Sequence, residues 1–191
     1  MKQMTRQKQV IAGENFADAD LSHQEFEACK FIHCDFTKAN LTDTDFIDCT
    51  FENCNLSMTV LKDTGVKNVA FKDCKLMGVD FSRSKDFLLS FSFDKCTLDY
   101  SIFHKKKIKK TRFNSCSIKE ADFSETDLTE SVFNECNLSG ARFDNTNLEK
   151  VDLRTAINYS FDPEFNKVKN AKLSLQGAIG LLDKYQLNIE G

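Results

Sequence analysis

An apolar residue recurs every five positions through most of this chain of 191 residues. In a first run it occupies positions 16, 21, 26 and onward to 81, and in a second it occupies 88, 93, 98 and onward to 153. Each run holds 14 such positions, and all 28 are Phe, Leu, Ile or Val. In a chain that is 41% hydrophobic, that many chance matches have a probability on the order of 10⁻¹¹. A period of five is neither the ~3.6 of a helix nor the ~2 of a strand, so the pattern predicts a repeat architecture. Two residues before each central residue the side chain is usually small. Ala19, Cys29, Cys34, Ala39 and Thr44 show this early, and Thr111, Cys116, Ala121, Thr126 and Ser131 show it later. Polar residues fill the remaining positions.

The columns of this repeat give the length of one coil. Cys34, Cys54 and Cys74 are 20 residues apart, and so are Cys96, Cys116 and Cys136. The step from Cys74 to Cys96 is 22, which predicts a two-residue insertion near 82–87. Phe31, Phe51, Phe71, Phe93, Phe113 and Phe133 obey the same rule, with Ile11 as their first member. The coil is therefore expected to continue across the insertion.

Segments such as Ala39-Asn40-Leu41-Thr42 and Ala121-Asp122-Phe123-Ser124 resemble the pentapeptide-repeat family over residues 14–157. That resemblance implies an all-β fold, a right-handed quadrilateral parallel β-helix with four pentapeptides per coil. It divides the chain into an N-terminal tail or cap at 1–13, the β-helix at 14–157, and a helical cap and dimerisation segment at 158–191. About seven coils at ~4.8 Å each would make a rod of ~35 Å.

Composition narrows the function. Lys+Arg number 26 and Asp+Glu 29, for a formal charge of −3, so bulk charge does not signal nucleic-acid binding. No apolar stretch is long enough to span a membrane. The first nine residues lack the apolar core of a signal peptide, so a cytoplasmic location is expected. The eight cysteines sit at small interior positions, where a free thiol behaves as a compact hydrophobe. Without a CxxC or a Cys/His quartet they predict reduced thiols rather than zinc ligands or disulfides. Asp43, Asp45 and Asp48 resemble the start of a calcium loop, but Gly and a closing Glu are missing in the right frame, and a solvated stripe is the simpler reading. His23, His33 and His104 match no nucleophile or base motif. A non-enzymatic protein without cofactors is expected.

Local violations of a strong rule point to function. Ser82-Arg83-Ser84-Lys85-Asp86-Phe87 carries the insertion, and His104-Lys105-Lys106-Lys107-Ile108-Lys109-Lys110 puts Lys106 at a small interior position. Column arithmetic sets Asp86 one coil from Lys106, in the column of Gln24, Thr44, Thr64, Thr126 and Thr146. The two should pair, or both be pushed out. Phe91, at another small position, predicts repacking on the next face. Residues 82–112 sum to +6, between −7 over 13–81 and −6 over 113–162. This basic belt is either a solvated face or a docking patch of Arg83, Lys85, Asp86, Lys105, Lys106, Lys107, Lys109 and Lys110. Without interleaved aromatics or a recognition helix, direct nucleic-acid binding is not expected.

The pattern fails at Asn158. Asp162-Pro163-Glu164 reads as a helix start, and Ser174 as the cap of a helix over 175–185. Leu175, Ala178, Ile179, Leu181, Leu182 and Tyr185 form an apolar stripe that would cover the open coil end. The stripe is wider than one end requires, and Leu187 and Ile189 follow it. A homodimer through Leu175, Ile179, Leu182 and Tyr185 is therefore expected. Together with Lys172-Leu173, the Leu181-Leu182 helix and Ile189-Glu190-Gly191, this layout resembles the Qnr and mycobacterial fluoroquinolone-resistance branch of the family. That branch implies a dimeric rod that mimics DNA, binds DNA gyrase and topoisomerase IV, and protects them from quinolones. The acidic flanks would fill the DNA-binding saddle, and 82–90 with 104–112 would add specific contacts. Many Qnr proteins extrude longer loops, whereas this chain carries a two-residue insertion. The competing expectation is a rigid scaffold for an unrelated protein partner.

Overall fold

The structure, a computed structural model, describes residues 4–188. The chain winds as a right-handed quadrilateral β-helix in which every strand pairs in parallel with the strand one coil away. On one face β1 (Met4–Gln7), β3 (Gln24–Glu27), β5 (Asp45–Ile47) and β7 (Gly65–Lys67) form a four-stranded sheet. On the next, β2 (Val10–Ala12), β4 (Lys30–Ile32), β6 (Thr50–Glu52), β8 (Val69–Lys72), β9 (Phe91–Asp94), β10 (Arg112–Asn114) and β11 (Val132–Asn134) form a seven-stranded sheet. The other two faces are held by isolated parallel bridges such as Asp35↔Asn55 and Asp20↔Asn40. Phe31 pairs with Phe51, 20 residues on, while Phe71 pairs with Phe93, 22 residues on.

Each position of the pentapeptide has a physical task. Most central residues, Phe31, Phe36, Leu41 and Phe51 among them, are buried. Rings of successive coils stack face to face, for example Phe31 on Phe51 at 4.6 Å and Phe113 on Phe133 at 4.6 Å. The small residue two positions earlier also points inward, and in most coils its hydroxyl or thiol donates to a main-chain carbonyl of the coil before. Thr64 Oγ1 donates to Leu41 O at 2.8 Å, and Cys34 Sγ to Ile11 O at 3.4 Å. The Asp or Asn just before the central residue accepts the N–H two residues on, as Asp35 does from Thr37 at 2.8 Å and Asp122 from Ser124 at 2.8 Å. The corner two residues after the centre takes left-handed backbone, as at Lys38, Asp43, Asp48 and Asn53. That costs about 1–2 kcal/mol at each non-glycine corner and persists because the stacked coils dictate it.

The coil runs beyond the expected end at 157, with bridges Asn147↔Lys167 and Asp152↔Lys172. Asn158 and Pro163 occupy two central positions that cannot be filled from the core. Tyr159 and Phe161 fill the interior instead, and Val168, Ala171 and Leu173 then pack on it in the original phase. Asn166 takes over the Thr146 column, accepting from Thr146 N at 2.8 Å and donating to Phe143 O at 3.1 Å. The helix expected to start at Asp162-Pro163-Glu164 is absent. Asp162 Oδ1 accepts from Glu164 N at 2.9 Å in a turn, because the chain must re-enter the coil at Asn166. The cap proper is α1 (Leu175–Ile179), with Ser174 Oγ accepting from Gly177 N at 2.9 Å, followed by a 3₁₀ segment over Gly180–Tyr185.

Candidate protein-binding surface

The two extra residues lie slightly later than 82–87. The ladder keeps its first register through Lys85, whose N–H donates to Thr64 O at 2.9 Å, and runs in the shifted register from Ser90, where Val69 N donates to Ser90 O at 3.1 Å. Phe81–Arg83 makes a 3₁₀ turn in place of the usual left-handed corner. Ser90 patches the gap, donating its N–H to Val66 O at 2.9 Å and accepting from Asn68 N through Oγ at 2.8 Å. Leu88, expected as a central residue, instead points outward at φ +57°. Phe91 fills the vacated interior against Phe81 at 5.3 Å and Phe93 at 5.1 Å. Phe87 is left 81% exposed, and the four-stranded sheet ends at β7. Between β5, β7 and the outward Phe87 and Leu88 lies an open groove of about 280 Å³, with Lys85 and Lys67 in its wall.

Asp86 does not enter the Thr44–Thr64 column. Ser84 takes the inner position there, and its Oγ donates to Phe81 O at 2.6 Å. The Lys106 side chain is 5% exposed and the Asp86 side chain 81% exposed, and the two pair at 2.7 Å. Lys106 also donates from Nζ to Ser84 O at 2.6 Å. The reason is local. In other coils a threonine of this column bonds a carbonyl of the coil before, but Phe81 O already accepts from Ser84 N and Oγ. A long cationic stem reaches past it to the next acceptors.

The acids that resembled a calcium loop hold a cation that the chain itself supplies. Lys85 Nζ lies 2.9 Å from Asp45 Oδ1 and 3.2 Å from Asp43 Oδ1, and His23 Nδ1 lies 3.1 Å from Asp43 Oδ2. Burial works to lower the Lys85 pKa, but the hydrogen bonds to Asp45 and Asp43 outweigh it and raise the value above an ordinary lysine. Lys85 and then His23 hold the Asp43 carboxyl below the usual carboxylate range.

The rest of the belt is stitched to neighbouring coils. Lys105 pairs with Glu125 at 3.5 Å, Lys109 with Asp127 at 3.1 Å and Lys110 with Glu130 at 3.6 Å, whereas Arg83 pairs within its own turn, with Asp80 at 3.2 Å. Lys107 is exposed and makes no ion pair among the described residues. The candidate residues thus fall into a bulge group, Arg83, Lys85 and Asp86, and a coil group, Lys105, Lys107, Lys109 and Lys110, with Lys106 bonding the two together. Ser84, Phe87, Leu88 and Ser90 complete the bulge; Ser84 and Phe87 lie in the segment singled out for the insertion, while Leu88 was expected inside and Ser90 carried no signal in the sequence.

At the C-terminal end Leu181 packs on the core and Ala178 is half-buried. Leu175 is 90% exposed, and Ile179, Leu182, Tyr185 and Leu187 are exposed beside it. Ile189 lies outside the described residues. The cap docks through glycines: a Cβ at Gly177 would meet Tyr159 Oη at 1.8 Å, and one at Gly180 would meet Tyr159 O at 2.2 Å. Lys184 Nζ ties it down, bonding both Asp162 carboxylate oxygens at 2.9 Å. All eight cysteines are free and buried, and no cluster of His, Cys, Asp or Glu suited to a metal occurs among the described residues. No helix among them is long and apolar enough to cross a membrane.

The model of the pentapeptide repeat region matches residues 24–103 and 86–153. This chain belongs to the pentapeptide-repeat family. Solved structures of two trypsin-treated variants of QnrB1, a plasmid-mediated fluoroquinolone resistance protein, share its fold. One superposes with a TM-score of 0.67 at 19% identity, over 99% of this chain and 100% of that one. The other gives 0.59 at 20% identity, over 98% and 100%. None of the curated proteins matches the sequence.

Proposed function

We propose that this pentapeptide-repeat protein is a non-enzymatic DNA mimic that docks on a type II topoisomerase, DNA gyrase or topoisomerase IV, in the cytoplasm and protects it from quinolones. The observation that carries the reading is the end-to-end superposition, 99% of this chain on 100% of the chain of a fluoroquinolone-resistance protein, including the C-terminal cap. Two features support it. Residues 13–81 and 113–162 carry −7 and −6, so the two ends of the rod are acidic. The exposed Leu175, Ile179, Leu182 and Tyr185 suit a two-fold dimer, which would double the rod. Contacts specific to the enzyme would come from the bulge, with Phe87 and Leu88 exposed beside Lys85, and from Lys107 on the next coil.

A second reading, a rigid scaffold for an unrelated protein, is favoured by the belt at 82–112, whose +6 interrupts the acidic surface midway. A gyrase supercoiling assay with a fluoroquinolone separates the two. Rescue of supercoiling at low protein concentration, with inhibition at high concentration, is expected of the DNA mimic. No effect on either enzyme of the source organism would leave the scaffold.

A further inference from the structure

One corner of the rod, half a coil away from the bulge, carries apolar side chains where the repeat places polar ones. The corner column that passes through Met58 also holds Gly78 and Tyr100, both with positive φ. Beside it lie Met77 and the bridge column Val60, Asp80 and Ile102. Met58, Val60, Met77, Tyr100 and Ile102 are each at least 36% exposed. Scattered exposed apolar residues are ordinary, but five on adjoining coils of one corner form a contiguous patch, and such patches mark interaction sites. Its floor is shaped by Gly78. A Cβ there would come within 2.5 Å of Met58 Sδ, so the absent side chain leaves a notch into which the thioether folds. An adaptable methionine beside an exposed tyrosine suits a binding surface.

The charges around the patch are unequal in availability. Lys38 lies one coil below Met58 in the corner column, Lys62 follows Val60, Lys75 precedes Met77, and Lys119 lies one coil above Asp99. All four are exposed, and none makes an ion pair among the described residues. The nearby carboxylates are mostly engaged by the rod itself. Asp80 accepts from Ser82 N and Oγ at 3.0 and 2.5 Å and pairs with Arg83 at 3.2 Å. Asp99 accepts from Ser117 Oγ at 2.7 Å and Lys119 N at 2.9 Å, and Asp122 from Ser124 N at 2.8 Å. Glu120, above Tyr100, and Asp63, beside Lys62, are exposed exceptions.

We infer that this corner docks an amphipathic helix of a partner protein, apolar on one stripe and acidic on its flanks. The spacing fits as well as the charge. Met58 and Tyr100 are two coils apart, ~9.6 Å, and residues i and i+7 of an α-helix are ~10.5 Å apart along its axis. A helix lying along the rod can therefore set successive apolar residues on Met58 and Tyr100 while its acidic flanks meet Lys38, Lys62, Lys75 and Lys119. The surface is independent of the topoisomerase reading.

The test uses the full chain and two fluorescent 18-residue helical peptides with the same leucine stripe, one with glutamate flanks and one with lysine flanks, read by anisotropy. Saturable binding of the glutamate peptide is expected, with roughly ten-fold weaker binding of the lysine peptide and a similar loss in Tyr100→Glu and Met58→Glu. Those variants should keep their fold, since Glu120, Glu125 and Glu130 already occupy such left-handed corners, and an unchanged circular dichroism melt checks it. No binding of the glutamate peptide up to about 1 mM, equal binding of both peptides, or undiminished binding by both variants would overturn the inference. So would self-association in light scattering that Tyr100→Glu abolishes, because the occupant would then be a second copy of the chain.

Discussion

Replacing Asp86 by Ala perturbs the one cation among the described residues that this fold has taken inside. Lys106 holds its charge on a side chain 5% exposed, with two acceptors, Asp86 Oδ1 at 2.7 Å and Ser84 O at 2.6 Å. A hydrogen bond to a charged group is worth about 1.5–3 kcal/mol. Asp86 is 81% exposed, so water replaces part of what it supplies, and the expected loss for Asp86→Ala is about 1–2 kcal/mol. Lys106→Met removes the charge and keeps the apolar stem. It leaves Ser84 O without that donor at a cost of about 1 kcal/mol, offset by no longer having an ammonium to desolvate. That variant should lie within about 1 kcal/mol of the parent. The double variant decides the matter. Once the ammonium is gone Asp86 has nothing to hold, so Asp86→Ala in the Lys106→Met background should cost almost nothing. The coupling energy is then about 1–2 kcal/mol. Urea unfolding followed by circular dichroism measures it, and in a chain of this size about 1 kcal/mol moves the melting temperature by about 2–4 °C. Strict additivity of the two substitutions would refute the account of a buried charge held by Asp86.

Phe113 is fully buried in the ring stack and Phe87 is exposed on the bulge, so Phe113→Ala should cost about 3–5 kcal/mol and Phe87→Ala less than about 0.5 kcal/mol in the same assay. Thr37 holds the Asp35 carboxyl below its usual pKa, Lys30 does so for Glu52, Lys150 for Glu130 and Lys184 for Asp162. A depressed folded pKa adds stability that is present above the ordinary carboxylate range and lost as pH falls through the folded value, so melting temperatures should hold near neutrality and drop below about pH 4; a flat profile down to pH 3 would contradict this. Leu175→Glu with Tyr185→Glu should convert the proposed dimer to a monomer of 21.8 kDa in light scattering without changing the melt, and a parent chain already monomeric would remove the interface.

Most of the fold was legible because the interior of a square coil admits one kind of pattern. The column Phe31–Phe51–Phe71–Phe93–Phe113–Phe133 and the cysteine column beside it both appear in the structure as read, step of 22 included. What was not legible has one cause: near 86–91 and 158–163 several neighbouring residues could equally fill the interior. Phe87, Leu88, Leu89 and Phe91 are all apolar, and only the geometry of closing the ladder at Ser90 selects Phe91 for the inside and Leu88 for the outside. Asn158 broke the pattern in the sequence, yet Tyr159, one residue later, restored it in space. The ion pairs of the belt were hidden for a different reason. Summing charge along 82–112 treats sequence neighbours as spatial neighbours, whereas in this fold the neighbours lie about 20 residues away, where Glu125, Asp127 and Glu130 wait for Lys105, Lys109 and Lys110.

The bulge and the buried lysine are therefore one feature. The insertion turns Phe81–Ser84 into a tighter turn, that turn consumes Phe81 O, and the loss of this acceptor is what leaves a threonine useless and a lysine useful at position 106. The same insertion ends the β7 sheet and turns Phe87 and Leu88 outward over the Lys85 clamp. Along the faces that carry the acidic surface, successive coils resemble one another and give a partner shape and charge but little to fix its position along the axis. Two added residues break that symmetry midway along the rod, so a partner that grips the Phe87 bulge is held at a single register, and Lys106, by tying the bulge to the next coil, keeps that register rigid.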